Sequence, residues 1–144
     1  MFIKIFTEPF DPWSILADFR KNQIESGKTG ACSTFIGTMR DYNEGDNILS
    51  MKLEYYPGMT EDHLANIIKQ SIKNHNLQNA FIVHRVGQIK PGDDIVLVAA
   101  FSPHRKEAFN GCREIMESLK STAPFWKKEV LENKERWVTK NTGG

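Results

Sequence analysis

Phe101-Ser102-Pro103-His104-Arg105-Lys106 joins an apolar stretch to a basic run across a proline. A strand that runs straight into a helix start presents free backbone N–H groups and the positive end of the helix dipole. Cations are locally unfavourable there, and sequences tend to break local rules where function demands it. His104 and Arg105 in such a first turn suit an anion such as a phosphate, with the guanidinium forking onto its oxygens. A solvated basic turn is the competing reading, and the pattern alone does not separate the two.

A second cluster follows in Lys120-Ser121-Thr122-Ala123-Pro124-Phe125-Trp126-Lys127-Lys128-Glu129. Lys120 falls one turn before a helix end, and Lys127 lies beyond the proline break. Residues 102–128 hold six Lys and Arg against three acidic residues, in a chain whose net charge is only +1. Cations crowded beside Phe125 and Trp126 disfavour the ammonium form and lower a lysine pKa toward neutrality. Such a lysine can move protons or attack an acyl carbon. For Lys120 the ordinary alternative is complementation of the helix C-terminus. Arg40, ending an alternating stretch, is placed like a ligand clamp, although a surface ion pair is the commoner fate.

Other chemistry is poorly represented. The two cysteines, Cys32 and Cys112, and the four histidines show no metal-ligand spacing, so no metal site is expected. Both thiols read as reduced and largely buried, with Cys112 pointing inward on a helix, a poor setting for a sulfur relay. His84 and Arg85 read as structural or interface residues in a strand, and Tyr55-Tyr56-Pro57-Gly58-Met59 as an aromatic turn of the core. The longest uninterrupted apolar run, Ile95 to Phe101, is far too short for a membrane span. Near-neutral charge argues against a general nucleic-acid-coating role. No secretory signal is read in Met1 to Phe6, so a cytoplasmic location is expected.

These residues need elements to hold them. At 144 residues, without repeats or low-complexity linkers, one domain over 1–144 is expected, with a flexible tail from about residue 139. Residues 1–7 read as a strand. Asp11-Pro12 caps and starts a helix carrying Trp13, Leu16 and Phe19 and running to about Glu25. Thr29 to Arg40 alternates like a strand, Asn43 to Asp46 is turn chemistry, and Leu49 to Tyr56 is the next strand. Thr60 is expected to cap a second helix, whose core stripe is Leu64, Ile67, Ile68 and Ile72. Phe81 to Val86 is a strand, and Asp94 to Phe101 has the continuous apolar pattern of a central one. A third helix buries Ala108, Cys112, Ile115, Met116 and Leu119 and stops at Pro124. Phe125 to Leu131 and Arg136 to Val138 form a closing hairpin around Glu132-Asn133. The mixture points to an α+β fold rather than a doubly wound sheet.

Several blocks, in order, resemble the catalytic (large) subunit family of molybdopterin synthase. They are Phe35-x-Gly37-x-x-Arg40-x-x-Asn43-x-Gly45-Asp46, Leu53 to Thr60, and His84-Arg85-Val86-Gly87-x-Ile89-x-Pro91-Gly92-Asp93. Ser102-x-His104-Arg105, the run from Lys120 to Glu129, and Arg136-Trp137-Val138 complete the set. The resemblance implies an α/β-hammerhead fold with an added small antiparallel β-subdomain. It also implies a homodimer that binds two copies of a small ubiquitin-like sulfur carrier, together a heterotetramer. The carrier's C-terminal Gly-Gly thiocarboxylate would enter a pocket and give its sulfur to cyclic pyranopterin monophosphate (precursor Z). Two such transfers form the dithiolene of molybdopterin. No cofactor or metal is implied, since the sulfur arrives activated and molybdenum enters later.

Carried over residue by residue, the resemblance makes Lys120 and Lys127 the active-site lysines, with Lys120 the first choice for direct involvement. His104, Arg105 and Arg40 would contact substrate, and Thr38, Met39, Lys128 and Glu129 would lie in the pocket walls. Some relatives carry lysine where this chain has Thr38, so no charge role carries over to that position. A non-catalytic phosphate-ligand or ubiquitin-like-protein binding module is the alternative. The terminal Gly143-Gly144, a carrier-like ending, reads as incidental by default; entry of that tail into a neighbour's pocket is the sharper idea.

Overall fold

The computed structural model describes residues 2–132 and 134–138; the tail expected from about 139, Gly143-Gly144 and the hairpin residue Asn133 lie outside them. β1 (Phe2–Phe6) is followed by α1 (Pro12–Gln23) and β2 (Ala31–Thr38). Two short strands, β3 (Tyr42–Asn43) and β4 (Asp46–Asn47), form a separate ribbon. Then come β5 (Ser50–Tyr55), α2 (Met59–His75), β6 (Asn79–Arg85), β7 (Gly87–Ile89) and β8 (Asp94–Ser102). The chain closes with α3 (Arg105–Thr122), β9 (Phe125–Val130) and β10 (Glu135–Trp137).

The main sheet has the order β1-β6-β8-β2, with β1 parallel to β6 and the other pairs antiparallel. Alternation along β6 and β8 splits its two faces. Ala80, Ile82, Val96, Val98 and Ala100 pack with Leu64, Ile67 and Ile68 of α2 and Cys112, Ile115, Met116 and Leu119 of α3. Phe81, Val83, Leu97, Ala99 and Phe101 pack on the opposite side with Phe19 of α1. Burial on both faces is why β8 is apolar without interruption.

The second sheet, β10-β9-β5-β7, is antiparallel throughout. Its core of Met51, Leu53, Ile89 and Leu131 meets Ile5 and Ile95 of the first sheet. The α+β architecture with a small antiparallel subdomain is therefore as expected.

Two expectations need correction. Thr60 does not cap α2: the N-cap is Gly58, whose N–H donates to the Glu61 carboxylate at 3.1 Å. The Thr60 hydroxyl sits inside the first turn, accepting from the Tyr56 N–H and donating to the Pro124 carbonyl. The thiols also differ: Cys112 is buried, whereas Cys32 is exposed on β2. Cys112 lies on the inward face of α3, whereas β2 is an edge strand of the main sheet.

Candidate active site

The two sheets and the end of α3 enclose a cleft of about 370 Å³. Its walls are Phe35 to Arg40 at the end of β2, Tyr42 and Asn43 of the ribbon, and Met116, Leu119 and Lys120 of α3. Phe125, Lys127 and Glu129 of β9 form the floor, with Met51 beside them and His84 from β6. One part is apolar; the other collects amines, a guanidinium and a carboxylate.

Local structure explains each placement. β9 is antiparallel to β5, with Leu53 opposite Lys127 and Met51 opposite Glu129. Strand alternation turns Phe125, Lys127 and Glu129 to the cleft and Trp126 and Lys128 away from it. Trp126 packs edge-on against Tyr56, and Lys128 pairs with Glu135 at 2.7 Å above the Trp137 ring. Lys128 is thus on the outer face rather than in the pocket wall.

The β2–β8 register shifts between Gly37 and Thr38, an irregularity of the kind that bends a strand. The Met39 N–H then donates to Asp93 O at 2.8 Å, which fixes the approach to Arg40. Thr38 donates to the Asp94 carboxylate at 2.8 Å, a neutral tie between strands.

Lys127 is strongly altered by this setting. Its pKa is lowered from 10.5 to about 8, first by burial, then by the Lys120 amine as a like charge and hydrogen-bond neighbour, with Arg40 adding to this. Glu129 acts in the opposite direction. The expectation of a lysine depressed among crowded cations holds, with burial in the cleft the larger cause and Lys120 the next; of the two flanking aromatics, only Phe125 lines the cleft.

His84 was absent from the candidates and lines the same cleft. Its ring stacks on Phe125 with centroids 4.0 Å apart and 14° between planes. Nδ1 lies 2.8 Å from the Arg85 carbonyl, an arrangement in which the nitrogen donates and Nε2 is left as an acceptor. Burial above all, with Lys127 and Lys120 adding to it, lowers its pKa to about 4, so the ring is neutral at pH 7. Strand alternation was the available signal: Ile82 faces the α2–α3 side, and His84 shares its face.

His104 and Arg105 are elsewhere. His104 is the N-cap of α3 and Arg105 its first residue, both exposed. Fifteen residues of helix, about 22 Å, separate Arg105 from Lys120 at the other end. Within one chain, the basic helix start and the lysine cleft do not meet. Among the described residues, no group of three or more His, Cys, Asp or Glu is disposed to hold a metal ion.

The family model described as "MoaE protein" matches residues 5–122. The chain belongs to the MoaE family. A curated relative, the molybdopterin synthase catalytic subunit of Ralstonia nicotianae, is 46% identical over 136 residues, covering 94% of this chain and 76% of that protein. The solved MoaE protein of Burkholderia ambifaria matches at 42% identity with a TM-score of 0.79, over 94% of this chain and 87% of its own. Molybdopterin synthase from Staphylococcus aureus matches at 31% identity with a TM-score of 0.84, over 94% and 96%. The α/β-hammerhead expectation for the MoaE chain stands with these likenesses.

Proposed function

We infer that this MoaE-family chain is the catalytic subunit of molybdopterin synthase, a sulfurtransferase of molybdenum cofactor biosynthesis. The observation that carries the site assignment is the convergence of Lys120, Lys127 and Arg40 on one cleft, with the Lys127 amine lowered to about 8. In this reading, the thiocarboxylate at the C-terminal Gly-Gly of a small ubiquitin-like carrier enters the cleft. Its sulfur bonds to a carbon of precursor Z, and the oxygen on that carbon leaves with a proton; water then hydrolyses the carrier–sulfur thioester, which leaves the sulfur on the pterin and returns the carrier as a carboxylate. A donor with a pKa near the working pH suits that departure, because both of its protonation states are populated. Lys127 fills that role, while Lys120 and Arg40 stabilise the charge that develops on the oxygen. Thr38, Met39 and Glu129 shape the wall.

A homodimer completes the assignment. His104 and Arg105 of a second copy would bring their phosphate-binding groups to the cleft, which their own helix keeps from them. Lys128, on the outer face, is left with a role in carrier docking or in holding β10. Free thiols at Cys32 and Cys112 accord with a cytoplasmic setting. No helix among the described residues is long and apolar enough to cross a membrane.

The test is to combine the protein with thiocarboxylated carrier and precursor Z and assay dithiolene. Lys127→Ala is expected to lose roughly 100-fold or more in conversion, and Lys120→Ala to fall with it, while both still bind carrier. Full conversion by the double variant would overturn the assignment. Carrier binding without conversion by the unaltered protein would favour the binding-module alternative.

A further inference from the structure

Glu129 and Lys127 lie two residues apart on the cleft face of β9, yet the carboxylate is committed in another direction. Glu129 is only 5% exposed. Its Oε1 accepts from Arg136 Nε at 2.8 Å, and its Oε2 accepts from Asn43 Nδ2 at 2.8 Å. Arg136 stands directly opposite Glu129 in the β9–β10 pair. Its remaining nitrogens reach the ribbon: Nη1 donates to Asp46 Oδ2 at 2.7 Å, and Nη2 to Asn43 O at 3.0 Å. Glu44 is the further carboxylate near Nη1, at 3.8 Å. One guanidinium therefore ties β9, β10 and both strands of the ribbon together.

The groups around the Lys127 amine come from four directions: Lys120 from α3, Arg40 beyond β2, neutral His84 from β6, and Glu129 from β9 itself. Glu129 is the member of this set that favours the ammonium form. A carboxylate free to swing onto Lys127 in a half-dry cleft would make a strong ion pair and hold the proton in place.

We propose that Arg136 is a positioning residue for the reaction: with Asn43, it pins Glu129 toward β10 and so prevents that carboxylate from closing onto the Lys127 amine. The guanidinium touches no reacting atom; it acts through Glu129. This rests on the reading of Lys127 as the proton-handling group, and the experiment below runs without carrier or precursor Z.

The rate at which acetic anhydride acetylates Lys127 in the intact protein is followed against pH by peptide mass spectrometry. The unaltered protein should show a midpoint near 8. Arg136→Gln is expected to move it up by about one unit, slowing labelling at pH 7 roughly tenfold. Asn43→Ala, which keeps the guanidinium, should move it in the same direction by less. Adding Glu129→Gln to Arg136→Gln should remove the shift, because the freed carboxylate is then gone.

Unmoved midpoints in folded Arg136→Gln and Asn43→Ala proteins would overturn the clamp, as would a shift that survives Glu129→Gln. If Arg136→Gln does not fold, Asn43→Ala alone and with Glu129→Gln decides the question by the same criteria. An unmoved midpoint leaves the sulfurtransferase reading intact, whereas full conversion by the double lysine variant refutes that reading and leaves the labelling result standing.

Discussion

The ammonium of Lys127 is stabilised less well in the folded protein than in the unfolded chain. Its amine titrates at about 8 in the fold against 10.5 for the exposed group. Between those values the unfolded chain binds more protons than the folded one, so stability rises with pH across that window. Below pH 8 the full penalty applies, up to about 3 kcal/mol for a shift of this size. Lys127→Met should therefore raise the thermal midpoint at pH 7, with the gain shrinking as pH approaches 10.5. Unfolding curves for both proteins at pH 7 and pH 10 would check this; a gain independent of pH would show that the amine is not the source. The trade is one expected of a functional group, held in a state that costs stability because its chemistry needs a proton that leaves easily. Lys120 and Arg40 could be picked out of the sequence because a lysine near a helix end and an arginine at a strand end occupy definable positions. For His84 alternation gives only the face it shares with Ile82; the stacking of its ring on Phe125 is what places it in the cleft.

At the scale of elements, the site depends on where strands and helices stop. The three helices were legible from their apolar stripes, and β8 from its unbroken run, because those patterns follow directly from burial on one face or two. What escaped was β7 and the division of the strands between two sheets, since Gly87-Gln88-Ile89 is too short to show a period. Lys128 escaped for a related reason: alternation separates it from Lys127, but a family block read as a run of residues does not. The junction before α3 is equally exacting. A Cβ on Gly30 would lie 2.2 Å from the Pro103 carbonyl oxygen, while the Gly30 N–H donates to Ser102 O at 3.1 Å. Backbone meets backbone there, so no side chain can give way. Gly30→Ala is expected to cost about 1–3 kcal/mol, seen as a lower thermal midpoint, and to displace the turn that presents His104 and Arg105. A variant as stable as the parent would show that β2 and this turn can separate freely.

The whole molecule poses a problem of distance. α3 carries the anion-suited His104-Arg105 tip at one end and Lys120 at the other, about 22 Å apart, and a rigid helix cannot bring its own ends together. A two-fold arrangement of two chains solves this if each helix tip reaches the other's cleft, giving two equivalent sites, each built from both copies. That arrangement makes a quantitative prediction. A chain with Lys120→Ala and Lys127→Ala lacks every cleft lysine, and a chain with His104→Ala and Arg105→Ala lacks every tip group; each should be inactive alone. Random exchange makes half the dimers mixed, and each mixed dimer has one intact site and one doubly damaged site. Recovered conversion should therefore approach about a quarter of the unaltered protein's. Two affinity tags, one on each chain, would confirm that mixed dimers are present and allow them to be isolated. Purified mixed dimers with no activity would mean that the tip and the cleft act separately, and that the phosphate of the substrate is held by something other than the partner's helix start.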